Sequence, residues 1–333
     1  MMGWILMLTL PAWWSSSISG FVRSDAFWLS SPGLQGPGQV VRIRLRWEPA
    51  WGPFTFKFHP ELDAWTGTSV PLRPLIAGQF LDDAAPWHIH REPDTETYAI
   101  LDRWSVTFAH GPVQLTVGRD RYPWGKVRFF SLLDQWNPYE PLAFGMVERQ
   151  GVRGARLQLY RDDFSWMELL YVHTHAADAY GVAVFATAGA VDFQVAAATG
   201  PRRWVGGAFS GGFGRWVLRG EMLLDVSGDL EWVTDLDVQA SDRIYVTMET
   251  GRSRGHVYPV GTWWLVAVQW QMSDRVQLFG SLGRFADFGT LLSLTVQSTL
   301  TPDLDVQFTL FLTNGTAPNT RIRLGLAGWQ WYF

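Results

Sequence analysis

Apolar and polar residues alternate along most of this chain. Val41, Ile43 and Leu45 alternate with arginines, and every second residue from Leu304 to Leu312 is Leu, Val or Phe. Strict alternation predicts a β-strand with one apolar and one polar face. Many of these segments run about 9 to 13 residues, which is longer than a soluble strand. A tilted strand needs about 9 to 11 residues to cross a bilayer.

The alternating segments predict a transmembrane, antiparallel, up-and-down β-barrel. Bacterial single-chain barrels usually have an even number of strands, so we expect about 16, with 14 to 18 compatible with the pattern. The predicted strands, about 17 in number, lie near residues 40–47, 53–60, 97–109, 112–119, 151–161, 164–174, 179–188, 190–199, 203–211, 214–225, 229–240, 243–250, 262–272, 275–286, 289–301, 303–313 and 320–333.

The two faces of such strands have different surroundings, since the apolar face meets lipid and the polar face lines the lumen. We therefore expect Arg42, Arg44, Arg46 and Arg103 to line the lumen. The last strand is ambiguous, because its leucines at 324 and 326 favour even positions for lipid, whereas its tryptophans at 329 and 331 favour odd ones. A β-bulge near residues 327–328 would reconcile them; otherwise one face is misassigned.

Composition supports a membrane barrel. Charged residues make up only 17% of the 333 residues, against about 25% in soluble proteins. Apart from the N-terminus, no apolar run is long enough for a transmembrane helix. A net charge of −4 argues against a nucleic-acid partner. The absence of cysteine excludes disulfides, thiolate metal sites and a cysteine nucleophile.

The N-terminus has an apolar stretch from Trp4 to Leu10, followed by Pro11 and then by small residues. This order predicts a signal peptide over residues 1–20, with residues 21–333 forming a single barrel domain. A first strand or an apolar tail is the alternative, since the usual basic residue before the apolar stretch is missing.

Residues 118–151 break the alternation. A loop of about 30 residues in a barrel is usually functional, and mixed charge within a lumen makes a polar constriction. We expect this segment, near 118–150, to fold inward and set what passes. A structural role is the alternative: Arg119 would pair with Asp134 or Glu148, and Trp124 would fill a gap. The pore-constriction candidates are Arg119, Asp120, Arg121, Trp124, Lys126, Arg128, Asp134, Glu148 and Arg149.

The same region resembles a motif of porin-like bacterial outer-membrane barrels, with a related arrangement in capsule-assembly barrels. It runs from Asp102-Arg103 through Gly118-Arg119 and Trp124-Gly125 to Asp134 and Asn137-Pro138. The resemblance implies an outer-membrane location and passive passage or surface binding of polar, often carbohydrate or acidic, solutes. The terminal Phe333 resembles the C-terminal signature that the barrel-assembly machinery reads.

Other chemistry finds little support. His88 with His90 and His173 with His175 could each share a strand face, but neither pair has a third metal ligand. No nucleophile elbow or phosphate-binding loop is present. We therefore expect no enzyme, no metal and no cofactor. The expected partners are outer-membrane lipids, small polar solutes and the assembly machinery; the oligomeric state stays open. The alternatives are a polysaccharide-binding or purely structural barrel, and a soluble carbohydrate-binding β protein.

Overall fold

A computed structural model describes residues 18–31, 34–68, 70, 86–137, 151–175, 177–254, 261–286, 289–314 and 322–333. The strands are β1 (Ile18–Ser31), β2 (Leu34–Trp47), β3 (Ala50–Trp51), β4 (Phe54–Gly67), β5 (Trp87–Glu92), β6 (Thr95–His110), β7 (Val113–Asp120), β8 (Val152–Asp162), β9 (Ser165–His173), β10 (Asp178–Ala188), β11 (Val191–Thr199), β12 (Trp204–Phe213), β13 (Trp216–Asp225), β14 (Leu230–Ser241), β15 (Ile244–Ser253), β16 (Gly261–Gln271), β17 (Val276–Phe285), β18 (Gly289–Thr301), β19 (Leu304–Asn314) and β20 (Arg323–Tyr332). Among the described residues, no helix is long and apolar enough to cross a membrane.

The strands form one closed antiparallel barrel. The first and last strands pair along the register Phe21↔Tyr332, and the Gly20 N–H donates to the Phe333 carbonyl at 2.9 Å. β3 only extends the hairpin between β2 and β4. β5 pairs with the first part of β6, on the edge of β6 that pairs with β7 further along. Neither β3 nor β5 therefore adds a strand to the circumference of the barrel. The barrel wall therefore has 18 strands, which confirms the predicted all-β barrel and lies within the predicted range.

The one wall strand that the alternation pattern missed is β1. Its inward positions combine the apolar Phe21 and Phe27 with the charged Arg23 and Asp25, and all four side chains are buried. A face of mixed polarity leaves no alternation to detect. Residues 18–20 of the predicted signal peptide belong to this strand, and residues 1–17 lie outside the described part of the chain.

The outer surface of the barrel is apolar. Leu292, Leu294 and Leu310 are 42–47% exposed on β18 and β19, whereas Ser293 and Thr309, which alternate with them, are polar. Lipid can solvate such a surface, which explains the low content of charged residues. The alternative of a soluble carbohydrate-binding protein is therefore wrong.

The last strand corrects one sequence-based assignment. Leu324 and Leu326 are 2% and 7% exposed, whereas Trp329 and Trp331 are 43% and 47% exposed. The register of β20 with both neighbours is regular, so no bulge is needed there. The two leucines face inward, and their assignment to the lipid face was wrong.

The two ends of the barrel differ. Turns of two residues, such as residues 111–112 and 189–190, join many strands at the end that holds both the start of β1 and the end of β20. Most connections at the other end are longer, and the widest separation is between β7, which ends at residue 120, and β8, which begins at residue 152. Short turns mark the periplasmic side of outer-membrane barrels and long loops the outer side.

An apolar core lies inside the barrel toward the long-loop end. Side chains from strands all around the wall contribute to it, among them Leu29, Trp65, Tyr98, Trp204 and Phe311, and none of these is more than 2% exposed. The inner surface therefore changes from polar near the short turns to apolar near the long loops.

Candidate functional site

After β7 the chain leaves the wall and runs inside the barrel. We call residues 121–137 the inner segment. Its side chains Tyr122, Trp124, Phe130 and Leu133 are at most 2% exposed. These side chains belong to the apolar core, so the segment is packed against the inside of the wall rather than projecting from the barrel.

Glu221, on the inward face of β13, holds the inner segment at two places. One carboxylate oxygen accepts the backbone N–H groups of Lys126 and Val127 at 2.5 and 2.9 Å. The other accepts those of Leu132 and Leu133 at 2.8 and 3.1 Å. Glu221 is 2% exposed. Hydrogen bonds to a carboxylate are stronger than neutral ones, and a buried donor left without its acceptor is costly.

The next two strands continue this arrangement. Asp235 on β14 accepts the N–H of Arg128 at 2.7 Å. Glu249 on β15 accepts the N–H groups of Phe129 and Phe130 at 3.0 and 3.1 Å. Both carboxylates are buried. Three neighbouring strands thus supply acceptors for backbone donors that no strand pairing satisfies.

Trp124 fixes the beginning of the segment. Its indole N–H donates to Glu168 on β9 at 2.7 Å, and its ring meets Trp204 edge-on with centroids 6.0 Å apart. Gly181 on β10 makes room for the indole, because a Cβ atom there would overlap its ring. The next residue, Gly125, donates its N–H to Gln194 at 3.1 Å.

We call the inward faces of β9 to β15 the covered wall. Its acceptors for the inner segment are Glu168, Gln194, Glu221, Asp235 and Glu249.

Two of the predicted constriction cations lie near acids of the wall or of the segment. The Arg121 side chain is 39% exposed and lies 4.0 Å from buried Asp134. Lys126 lies 3.7 Å from Asp192, on β11. Their positive charge is therefore opposed locally rather than free.

Arg128 has the most contacts of the three. Its guanidinium lies 3.4 Å from Asp237 and donates to Thr247 at 3.2 Å and to Gln269 at 3.3 Å. The side chain is 36% exposed, so it remains in contact with solvent.

Arg119 and Asp120 are buried at the end of β7. Arg119 is fully buried and donates to the carbonyl oxygens of Leu101 and Asp102 at 3.1 and 2.9 Å. Asp120 accepts from Lys57 at 2.9 Å. Both side chains are therefore buried and bonded to residues of the wall. Of the remaining candidates, residues 148 and 149 lie outside the described part of the chain.

Asp102 lies at a β-bulge and contacts two arginines of the wall. Opposite β4, the register shifts between the pairs His59↔Arg103 and Pro60↔Leu101, which leaves Asp102 without a direct partner. The bulge turns consecutive side chains to the same side, because it adds one residue to one strand. Asp102 then forms an ion pair with Arg44 and lies 3.6 Å from Arg103.

The other expected lumen-lining arginines are also engaged. Arg42 donates in a bidentate manner to Asp63, at 2.8 and 2.7 Å. Arg46 lies over the Phe21 ring, 5.8 Å from its centroid. The neighbouring Ile43 is 37% exposed, whereas Arg44 is 3% exposed, so successive side chains of β2 point to opposite sides.

A third part of the inner surface carries almost no charge. On β17 to β19, the inward positions between the apolar core and the short turns carry amide or hydroxyl side chains, with Phe279 and Asp305 as exceptions. Paired hydroxyls bridge adjacent strands, Ser281 to Ser293 at 2.6 Å and Thr295 to Thr309 at 3.0 Å. We call this surface the neutral wall; its polar members are Gln277, Ser281, Ser293, Thr295, Gln297, Thr299, Gln307 and Thr309.

The histidine pairs show other contacts. His88 lies 3.1 Å from Glu96, and His173 lies 2.7 Å from Asp178. Within the described ranges, no group of three or more His, Cys, Asp or Glu residues is arranged to hold a metal ion.

Sequence comparisons give no relative: no family model matches the chain, and neither does any curated protein. Solved structures do match its fold. OpdK of Pseudomonas aeruginosa, solved with vanillate, has a TM-score of 0.67 at 8% identity, covering 96% of this chain and 98% of that one. OccK5 (OpdH) of the same organism has a TM-score of 0.63 at 9% identity, with the same coverage. A triple mutant of the Rhodopseudomonas blastica porin has a TM-score of 0.53 at 11% identity, covering 96% and 100%.

These likenesses concern the fold. A closed barrel with an apolar outer face, polar side chains within and short turns at one end is the architecture of an integral outer-membrane protein. Within that class the chain shares the barrel fold of the porins.

Proposed function

We propose that this protein is an outer-membrane channel for passive passage of small polar solutes, anions among them. The observation that carries the proposal is the inner segment, held against the covered wall by buried acceptors on strands from β9 to β15. A segment fixed in this way narrows the lumen on one side and leaves the neutral wall for the solute. The proposal involves no catalysed reaction.

The selective part of the proposed channel is the solvent-exposed edge of the inner segment. Arg121, Lys126 and Arg128 are the constriction cations at this edge, and each is near a carboxylate. Mixed charge in a confined space discriminates between solutes by the sign and size of their charge. The structural alternative assigns the same contacts only to barrel stability, and the two roles predict different electrical behaviour.

The C-terminal strand is the proposed contact for the barrel-assembly machinery. Phe333 is 44% exposed and its backbone closes the barrel against Gly20. We propose that the assembly machinery recognises this end of β20 before closure, when its edge is unpaired.

The experiment that tests the channel proposal is conductance in planar bilayers, with Glu221→Gln as the informative variant. The substitution keeps the shape of the side chain but turns an NH2 group toward backbone N–H donors, so the segment loses an anchor. We expect a larger single-channel conductance and faster trypsin cleavage after Arg121, Lys126 or Arg128.

Glu231→Gln is the matched control. It makes the same substitution at another buried, inward position, this one on β14, but this carboxylate accepts a hydrogen bond from Arg202 rather than from the inner segment. Its conductance should stay close to that of the parent protein. A parent protein that folds into membranes and carries no current would refute the channel. Equal effects of the two variants would refute the proposal that the inner segment narrows the lumen.

A further inference from the structure

A small polar cavity lies in the inner surface where β18, β19, β20 and β1 meet, near the short-turn end. Its volume is about 180 Å³, whereas one water molecule occupies about 30 Å³ of the liquid. The cavity can therefore hold more than a single water. It is remote from the inner segment, whose anchors lie on β9 to β15. Its polar lining residues are Arg23, Asp25, Gln297, Asp305, Gln307, Gln330 and Tyr332.

Gln330 is the observation that points to a ligand. The residue is 6% exposed, and its side-chain Nε2 atom has no hydrogen-bond partner among the described residues. A buried polar group without a partner costs free energy. An amide that lines a cavity can recover this cost when a molecule in the cavity accepts its hydrogen bond.

The charged groups of the cavity are already engaged. Arg23 donates to both oxygens of Asp25, at 2.6 and 3.1 Å. Asp305 accepts from Thr299 at 2.7 Å and from Gln297 at 3.3 Å. Tyr332 also donates to Asp305 at 3.3 Å. Two carboxylates against one guanidinium disfavour an anion, and carboxylates that already accept hydrogen bonds attract a cation less strongly.

A hydroxyl group fits this lining best, because it both donates and accepts hydrogen bonds. It can accept from the Gln330 amide while donating to a remaining lone pair of Asp25 or Asp305. The neutral wall adjoins the cavity through Gln297 and Gln307 and presents the same chemistry further along β18 and β19.

We propose that this cavity binds one ring of a neutral, hydroxyl-rich solute such as a sugar. The inference rests on the proposed channel function and names the solute class, since the cavity would hold the solute on its way along the neutral wall.

The test compares three probes of one shape, namely glucose, glucuronate and glucosamine. Binding is measured by isothermal titration on the purified full chain in detergent, and by block of current in planar bilayers. Glucose should bind more tightly than either charged probe. Gln330→Leu should raise the half-saturating glucose concentration about three- to tenfold, the factor expected for the loss of one hydrogen bond.

Gln239→Leu is the matched control, because Gln239 lies at an inward position of β14 near the same end of the barrel and does not line the cavity. It should leave glucose binding unchanged. If Gln330→Leu fails to fold, Gln330→Glu serves instead: an added carboxylate should reverse the preference from glucose to glucosamine.

Several results would overturn the proposal. These are no binding of glucose, tighter binding of glucosamine than of glucose by the parent protein, an equal effect of Gln330→Leu and Gln239→Leu, and an unchanged preference in Gln330→Glu. A parent protein that binds glucose and carries no current would instead refute the proposed channel, while sugar binding by the cavity would stand. Current without glucose binding would refute the cavity alone.

Discussion

The covered wall and the neutral wall lie in one barrel and use their polar inward positions differently. On the covered wall, buried carboxylates such as Glu221 and Glu249 accept backbone N–H groups of the inner segment. On the neutral wall, hydroxyls such as Thr295 and Thr309 pair with each other and stay partly exposed. Carboxylates are the stronger acceptors and can fix a segment of chain, whereas neutral groups can exchange partners with a passing solute.

The largest expected effect contrasts two neighbouring residues of the neutral wall strand β18. Leu294→Arg puts a charge toward lipid and should destabilise the barrel by about 2–4 kcal/mol. Thr295→Arg puts the same charge toward the lumen, where water solvates it, and should cost much less. Urea unfolding in detergent or lipid measures both free energies. Equal losses would show that the inward and outward faces of β18 are misassigned.

The second prediction compares a glycine of the covered wall with a glycine that belongs to neither wall. A Cβ atom at Gly181, on the covered wall, would overlap the Trp124 ring, whereas one at Gly325 on β20 meets nothing within 4 Å. Gly181→Ala should therefore lower stability by about 1–3 kcal/mol through overpacking. Gly325→Ala should be close to neutral. Thermal unfolding of both variants checks the difference, and a neutral Gly181→Ala would mean that Trp124 does not dock there.

The smallest expected effect is electrical. Replacing Arg121 and Arg128 by Ala together removes bulk and two partly exposed positive charges from the inner segment, and leaves Asp134 and Asp237 without these partners. Conductance should rise modestly, and selectivity should shift toward cations. The reversal potential in a salt gradient measures the shift. A double variant that folds normally and keeps the parent's reversal potential would exclude these arginines from the filter.

The alternation pattern predicted most of the wall because lipid and lumen impose opposite polarities on successive side chains. It failed at β1, where Phe27 of the apolar core shares the inward face with Arg23, and at Leu324 and Leu326, which face inward despite being apolar. Both failures have one cause: toward the long loops the inside of this barrel is filled by an apolar core, so inward does not always mean polar.

The candidate site was harder to predict from sequence. The break after β7 located the inner segment, but the acids that hold it look like ordinary polar positions of β13 to β15. The role of Glu221 depends on backbone groups about 90 residues away, and no local pattern encodes such a contact. The bulge at Asp102 likewise depends on the register against β4.

The seam between β1 and β20 has a consequence for how the barrel is made. It joins Phe21 to Tyr332, almost the full length of the chain apart. Until this pairing forms, two strand edges would expose unpaired N–H and C=O groups, and lipid offers them no partner. Assembly is therefore all-or-none with respect to the final strand: a chain stopped before β20 should remain an open sheet and be degraded, rather than close as a narrower barrel.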